Sequence, residues 1–113
     1  MNHFEETQLD GVRVFRLSGT LNQDGVRSIL PEFRIAARAG GPVVVDLSGV
    51  DLINTPGLAV LIAANRDVKQ AGGRMIVTQA SALVDDALRR CLLDRVLTLV
   101  PDFGEAVERA KQM

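Results

Sequence analysis

The amino-acid sequence predicts an α/β fold: a mixed β-sheet that begins with an N-terminal hairpin and carries about four helices packed mainly on one face. Three observations support this fold class. Two strand patterns at the start of the chain are separated by a turn dipeptide. Strand and helix patterns then alternate, as they do in βα units with parallel strands. One internal strand, Val43–Leu47, is a continuous apolar run rich in valine, which is typical of a strand covered on both faces.

The first two strands are predicted at Phe4–Leu9 and Val12–Leu17. Between them lie Asp10 and Gly11, a dipeptide that favours the two-residue type I′ turn. We therefore expect an antiparallel hairpin at the start of the sheet.

The first helix is predicted from about Asp24 to Ala39, followed by a break at Gly40–Pro42. Pro31 falls inside this segment, so the helix is either kinked there or begins there. One apolar stripe marks its buried face: Val26, Ile29, Leu30, Phe33 and Ala37.

The central segment reads as the buried strand Val43–Leu47, then a short loop, then a second helix. Thr55 is predicted to be the N-cap of this helix, with Pro56 at the first helical position. This places a hydroxyl at the positive end of a helix, where phosphate is electrostatically tolerated. Gly72 and Gly73 end the helix, and its apolar spacing is carried by Leu58, Leu61, Ile62, Asn65 and Val68.

Two more strand–helix units complete the chain. The first has a strand at Arg74–Thr78 and a helix capped by Ser81, whose predicted inward residues are Val84, Ala87, Leu88 and Cys91. The second has a strand at Val96–Val100 and a helix opened by a capping box of Asp102 and Glu105. Its predicted apolar face consists of Phe103, Ala106, Val107 and Ala110.

The composition indicates one aliphatic core. The chain has 113 residues, of which 47% are hydrophobic and 4% aromatic, so a single domain over residues 1–113 is expected. The formal net charge is −1. Since the sequence has neither a basic stripe nor an aromatic platform, it argues against nucleic acid as a direct partner.

The location is predicted to be the cytoplasm. The single cysteine, Cys91, cannot form an internal disulfide, which is typical of a reducing compartment. No apolar run approaches the roughly 20 residues of a membrane-spanning helix, so insertion into a membrane is not expected. The first residues are acidic and lack the apolar stretch of a signal peptide.

Enzymatic chemistry has little basis in this sequence, and no catalytic residues are expected. With one histidine and no tyrosine, no nucleophile–base–acid set can be assembled. Phosphate-binding glycine motifs and metal-ligand spacings are also missing, so neither a cofactor nor a metal is expected. Asp46 is expected to anchor the following loop through backbone N–H groups, because a receiver-type phosphoacceptor would need acids at the end of the first strand. Cys91 is expected to pack in the core.

Several segments, in order along the chain, resemble the STAS domain of anti-sigma factor antagonists. Residues 43–64, VVVDLSGVDLINTPGLAVLIAA, resemble the family pattern hhhDLSxhxhhDSSGLxxLhxh, in which h is hydrophobic. Residues 17–22, LSGTLN, look like its hxGELD turn, and residues 71–77, AGGRMIV, look like a later strand entry. A further helix matches at Val84, Leu88 and Leu92. The resemblance runs from about Phe4 to about Val107 and implies the STAS fold.

The resemblance implies a regulatory role for Thr55. In the family, the matching residue is a serine or threonine that is phosphorylated by a partner anti-sigma factor, which is also a serine/threonine kinase. Helical phase adds the exposed face of the following helix to the implied partner-binding surface. The residues of that surface are Asn22, Asn54, Thr55, Pro56, Gly57, Leu58, Ala59, Ala63 and Arg66.

Three residues depart from the family pattern. Asn22 and Asn54 stand where the family commonly has aspartate, and Pro56 replaces a small residue that has a backbone N–H. Loss of the two carboxylates eases repulsion of a phosphate, but it also removes groups that a kinase could use to orient the hydroxyl. A phosphorylated switch and a module that binds constitutively both stay open at this point.

The first functional interpretation is an anti-sigma factor antagonist that binds an anti-sigma factor kinase and is switched off by phosphorylation at Thr55. The alternative is a STAS subunit of a membrane transport system, which docks on an ATPase or permease without phosphorylation. A third interpretation is a small-molecule sensor that uses a cleft beside Asn22 and Asn54. The sequence does not identify the sigma factor or the oligomeric state.

Overall fold

The computed structural model describes residues 2–112 and confirms the mixed sheet. The strands, in their spatial order, are β1 (His3–Leu9), β2 (Val12–Leu21), β3 (Pro42–Ile53), β4 (Arg74–Thr78) and β5 (Thr98–Val100). β1 pairs with β2 in the antiparallel sense, and the later neighbouring strands are parallel. The helices are α1 (Gln23–Arg38), α2 (Thr55–Gln70), α3 (Ala82–Arg90) and α4 (Phe103–Lys111).

The two faces of the sheet carry different helices. α1, α2 and α3 pack on one face, over side chains that include Val45 and Val77. α4 packs on the other face, over Val44 and Ile76. Alternate residues of a strand point to opposite faces, which is why these neighbouring valines and their partners belong to different layers. Three helices on one face agree with the predicted arrangement.

The N-terminal hairpin is confirmed. Asp10 and Gly11 have φ angles of 54° and 81°, the two positive values that a type I′ turn requires. The twist of this turn matches that of the flanking strands, so β1 pairs with β2 from Leu9 and Val12 outward.

α1 begins well before Pro31 and runs through it, so the helix does not start at the proline. A proline inside a helix removes one hydrogen bond to the carbonyl of the residue four positions earlier, here Arg27. Both Arg27 and Pro31 are exposed, so water can hydrogen bond to that carbonyl. The helix therefore tolerates the proline on its solvent face.

β3 is longer than predicted, and the expected loop after Leu47 is wrong. The strand continues to Ile53 with two bulges, where it uses one extra residue relative to β2: between Asp46 and Gly49, and between Val50 and Leu52. Pairing with the end of β2 supplies the backbone partners that keep this polar segment extended.

The predicted buried face of α2 is correct except at Ile62, whose side chain is 38% exposed. Val60 and Ala64 are buried in addition to the predicted stripe. Among the polar residues, Asn65 is buried, and its Nδ2 donates to the Val96 carbonyl oxygen at 3.3 Å.

The last third of the chain matches most predictions. Ser81 caps α3 by accepting from the Val84 N–H, and Asp102 caps α4 by accepting from the Glu105 N–H. The prediction that Cys91 packs in the core is wrong, because α3 ends at Arg90 and the thiol is exposed. A short 3₁₀ helix at Leu93–Arg95 follows, and it delays β5 relative to the predicted Val96 start.

The side chain of Glu105 does not complete the predicted capping box. Its Oε1 accepts from Arg109 at 2.8 Å, so the carboxylate points along α4 rather than back to its start. Across residues 2–112, no helix combines the length and apolar character that crossing a membrane requires.

Candidate functional site

The candidate site lies where β2 and β3 end side by side. Leu21, the last residue of β2, is in register with Ile53, the last residue of β3. Each strand is followed by an asparagine and then a helix, and the Asn54 N–H donates to the Leu21 carbonyl oxygen at 3.0 Å. The positive ends of α1 and α2 therefore lie at the same edge of the sheet, beside Asn22 and Asn54.

Asn22 is the N-cap of α1. Its Oδ1 accepts from the Gly25 N–H at 2.9 Å, which satisfies one of the N–H groups that a helix start leaves unpaired. The residue is half-buried. Its side chain thus holds the turn in place, whatever else it contacts.

Asn54, not Thr55, is the N-cap of α2, so the predicted cap is wrong by one residue. Asn54 has extended backbone angles (φ −110°, ψ 179°), and its carbonyl oxygen accepts from the Leu58 N–H at 3.1 Å. Pro56 occupies the first turn, where a missing N–H costs little. The helix begins one residue early because the bond from Asn54 to Leu21 fixes the end of the strand there.

The Asn54 side chain forms no capping hydrogen bond. Thr55 is the first residue inside the helix, so it does not occupy the N-cap position, and it is exposed. The start of α2 therefore presents a free amide and a reachable hydroxyl next to each other.

Gly57 fixes how closely α2 approaches the sheet. A Cβ added there would lie 2.6 Å from the Leu21 carbonyl oxygen and 2.7 Å from Cγ1 of Ile53. No side chain fits at these distances, so the glycine allows the first turn to rest directly on the ends of two strands. Leu58 is buried beside it.

The remaining predicted residues extend the site along α2. Ala59 and Arg66 are exposed, whereas Pro56 and Ala63 are half-buried. The nine predicted residues thus extend from the edge of the sheet along α2, with Arg66 about 16 Å from Thr55 along the helix axis, and Gly57 and Leu58 are buried.

Grooves flank α2 on both sides. The groove toward α1 has a volume of about 330 Å³ and is lined by Ala59, Ala63 and Arg66 of α2 together with residues of α1. The groove toward α3 has a volume of about 410 Å³ and is lined by Asn54, Thr55 and Leu58 together with residues of β3 and α3.

Three residues of the α2–α3 groove have no signal in the sequence: Leu52, Leu83 and Arg90. Leu52 and Leu83 are 42% and 59% exposed, although apolar side chains of this size are more often buried. They add apolar surface to the groove that Thr55 also lines. Only the folded arrangement shows this, since α3 lies about 30 residues away in sequence from the start of α2.

Asp46 anchors the bulge in β3, as predicted for a loop. It is 1% exposed, its Oδ1 accepts from the Ser48 N–H at 2.9 Å, and its Oδ2 accepts from Arg16 Nε at 2.9 Å. It shares a sheet face with Val44, which packs under α4, so its carboxylate lies on the opposite face from α2.

The comparisons with known proteins agree with this architecture. The family model of the STAS domain matches residues 3–106, and the chain belongs to the STAS domain family. No curated protein matches the sequence.

Among solved structures, an anti-sigma factor antagonist from Mycobacterium paratuberculosis has a TM-score of 0.88 at 20% identity, covering 98% of this chain and 95% of that one. The anti-sigma factor antagonist SpoIIAA in its unphosphorylated form has a TM-score of 0.77 at 18% identity, with 98% of each chain covered. The phosphorylated form of Bacillus SpoIIAA has a TM-score of 0.68 at 18% identity, with coverage of 95% and 98%.

The same fold also occurs within a larger protein. The murine anion transporter Slc26a9 has a TM-score of 0.74 at 17% identity, and the match covers 95% of this chain but 19% of the transporter. At these identities, each likeness shows a shared fold.

Proposed function

We propose that this chain acts as one STAS domain that binds an anti-sigma factor with serine/threonine kinase activity and is switched off by phosphorylation at Thr55. The observation that carries the proposal is the exposed Thr55 at the start of α2, which does not occupy the N-cap position of its helix. Similar solved structures include anti-sigma factor antagonists, and SpoIIAA is among them in both an unphosphorylated and a phosphorylated form.

The proposed partner surface is the edge formed by Asn22, residues 54–58 and the α2 face that includes Ala59, Ala63 and Arg66. In the unmodified protein the start of α2 contributes no charged side chain to this surface, because its first turn contains no acidic residue and residues 54–58 are uncharged. A partner can therefore cover the start of α2 without burying an unpaired ion there.

Phosphorylation of Thr55 adds negative charge to the start of α2. The γ-phosphoryl group of ATP passes to the Thr55 hydroxyl oxygen, the hydroxyl proton goes to a base of the kinase, and ADP leaves. The product carries about −1.5 to −2 charges at this position. Burying such a strongly hydrated group against a partner would cost several kcal/mol unless cations offset both of its charges, so the complex dissociates.

The two asparagines are compatible with this switch. Neither adds a negative charge next to the phosphate, and the Asn54 amide is not occupied as a cap. Neither residue that flanks Thr55 in the sequence, Asn54 or Pro56, can act as a base, so we assign the base that accepts the hydroxyl proton to the kinase.

Reconstitution tests the proposal. An anti-sigma factor captured on the immobilised chain is loaded with its sigma factor, and the chain is then added in excess. We expect release of the sigma factor, followed after addition of ATP by a gain of about 80 Da on the peptide that contains Thr55. Thr55→Ala should release the sigma factor but gain no mass, and Ser48→Ala should behave like the wild type. A captured protein that holds no sigma factor, or that modifies a different residue, contradicts the proposal.

This is a proposal of a protein-binding regulator and not of an enzyme; ATP is a substrate of the partner. A role as a transport subunit is not proposed, because the likeness to part of an anion transporter shows the fold alone.

A further inference from the structure

The groove between α2 and α3 places a cation on the same surface as Thr55. Thr55 lines one wall, and Asp86, Arg90 and Cys91 contribute to the wall formed by α3 and its end. Among the lining residues of this groove that fall within residues 2–112, Arg90 carries the one positive charge and Asp86 the one carboxylate. The volume, about 410 Å³, leaves ample room for a phosphoryl group.

Arg90 forms only a weak ion pair in the unmodified protein. Its Nη2 donates to Asp86 Oδ2 one turn earlier in α3. The side chains of Arg90 and Asp86 are 77% and 59% exposed, and an ion pair so accessible to water contributes little to stability. The long arginine side chain can therefore change partner at small cost.

The start of α2 can interact with a phosphate group through N–H dipoles, but it carries no full positive charge. Thr55 and Gly57 have backbone N–H groups, whereas Pro56 has none, and the Asn54 amide is not used as a cap. A phosphate dianion is a stronger acceptor for a guanidinium than an exposed carboxylate is, because two charge-assisted hydrogen bonds can form side by side.

We propose that Arg90 leaves Asp86 when Thr55 is phosphorylated and binds the phosphate across the groove as its internal counter-ion. This inference rests on the proposed modification of Thr55 and adds the residue that receives the phosphate within the same molecule. It also links the modification to α3, since Asp86 loses its partner when Arg90 moves.

The other ionisable groups near Thr55 leave this assignment unchanged. On α3 they are Asp86 and the Cys91 thiol, both in the groove. On β3 the nearest acid in sequence is Asp51, whose Oδ1 accepts from Thr20 Oγ1 at 2.8 Å, toward β2. α2 carries no acid in its first turn, and Asp24 in the first turn of the neighbouring α1 does not line this groove.

The test uses the full chain with phosphothreonine incorporated at position 55 during synthesis, so that no kinase is needed. Phosphorus NMR then gives the second pKa of the phosphate, which is about 6 for an isolated group. We expect Arg90→Gln to raise this pKa by about half a unit, because a nearby cation favours the dianion. Asp86→Asn should lower it by about 0.2 units, because the carboxylate no longer competes for Arg90. Both shifts should shrink at high salt.

Arg89→Gln is the matched control, because it removes the same charge from the neighbouring position. Arg89 Nε donates to Asp85 at 2.9 Å, a bond that raises the pKa of Arg89, and it lines a different cavity. We expect it to move the phosphate pKa by no more than about 0.1 units. The proposal is overturned if Arg90→Gln leaves the phosphate pKa unchanged or if the two arginine variants shift it equally. Failure of the anti-sigma partner to bind or to phosphorylate the chain would overturn the proposed function and leave this titration intact.

Discussion

α1 and α2 begin next to each other at the ends of paired strands, and their first turns share a plan that differs in one respect. Each follows an asparagine and has a buried glycine as its third residue, Gly25 in α1 and Gly57 in α2. The Asn22 side chain caps α1, whereas the Asn54 side chain caps nothing and Thr55 next to it is exposed. The comparison teaches that close packing positions both helices, while only one helix start leaves its polar side chains free for a partner.

Substitution of the buried glycine that both helix starts share should give the largest loss of stability. A Cβ at Gly25 would lie 2.0 Å from the Thr20 carbonyl oxygen, and one at Gly57 would lie 2.6 Å from the Leu21 carbonyl oxygen. Backbone atoms cannot move away cheaply, so Gly25→Ala and Gly57→Ala should each lower the free energy of unfolding by about 3 kcal/mol. Urea denaturation followed by circular dichroism measures this.

Gly104→Ala at the start of α4 is the control for those variants. The nearest atom to its added Cβ is Oδ2 of Asp102 at 3.3 Å, the side-chain oxygen that accepts from the Glu105 N–H, and no backbone atom lies close. We expect stability to change by no more than about 0.5 kcal/mol, because the better helix propensity of alanine offsets mild crowding of this cap. If Gly57→Ala is as stable as the wild type, close packing does not position α2.

The second prediction concerns the free polar group at the start of α2. Thr55→Glu places a negative charge in the groove that the apolar side chains of Leu52 and Leu83 also line, and it should weaken binding to the anti-sigma partner about 30-fold, the equivalent of about 2 kcal/mol. Isothermal titration calorimetry checks the affinity. Thr55→Ala should bind like the wild type, and Ser48→Glu, with the same charge on an exposed part of β3, should change affinity less than about threefold. Equal binding by Thr55→Glu and the wild type would remove the basis of the electrostatic switch.

The difference between the two asparagines can be measured directly. Asn22→Ala removes the hydrogen bond to the Gly25 N–H and should cost about 1 kcal/mol of stability. Asn54→Ala removes no capping bond and should cost less than about 0.3 kcal/mol. Paired thermal and urea unfolding of the two variants is sufficient. Equal losses would show that Asn54 caps α2 in solution and that the two starts do not differ.

Local patterns in the sequence predict most of the fold. The φ angles of Asp10 and Gly11 are a property of the dipeptide itself, and the caps at Ser81 and Asp102 depend on neighbours within one turn. Such features need no knowledge of distant residues, which is why the hairpin, the helices and their order could be predicted.

The predicted end of β3 and start of α2 were wrong because residues distant in sequence decide where these elements end and begin. β3 continues to Ile53 because the end of β2 pairs with it, and the hydrogen bond from Asn54 to Leu21 moves the helix start by one residue. Both Asn54 and Thr55 are good N-cap types, so propensity cannot choose between them. Cys91 is exposed because α3 ends at Arg90, after which helical spacing no longer applies.

The candidate site also has one part that local sequence patterns predict and one part that they do not. The position of Thr55 at the carboxyl edge of the sheet follows from the strand and helix patterns around it. The contribution of α3 to the groove, through Leu83 and Arg90, depends on how two helices separated in sequence pack on one face of the sheet. The spacing of residues within α3 does not indicate that this helix contributes to the groove.

The smallest expected change in stability comes from replacing Asn54, the residue next to Thr55, and it tests whether a neutral side chain is needed there. Asn54→Asp places a carboxylate at the positive end of α2, which should stabilise the unmodified protein by about 0.5 kcal/mol at neutral pH. The helix end lowers the pKa of the new carboxyl below its unfolded value of about 3.9, so the gain is present above that pH and is lost as the pH falls through the lower, folded value.

Phosphorylation of Thr55 should reverse the sign of this substitution. A carboxylate beside the phosphate repels it, so in the phosphorylated protein Asn54→Asp should lower the melting temperature relative to the phosphorylated wild type, and the loss should diminish at high salt. Melting curves of both forms, with and without the substitution, give the comparison. If the substitution stabilises both forms equally, the phosphate does not lie near residue 54, and the neutral amide at that position serves no purpose in the switch.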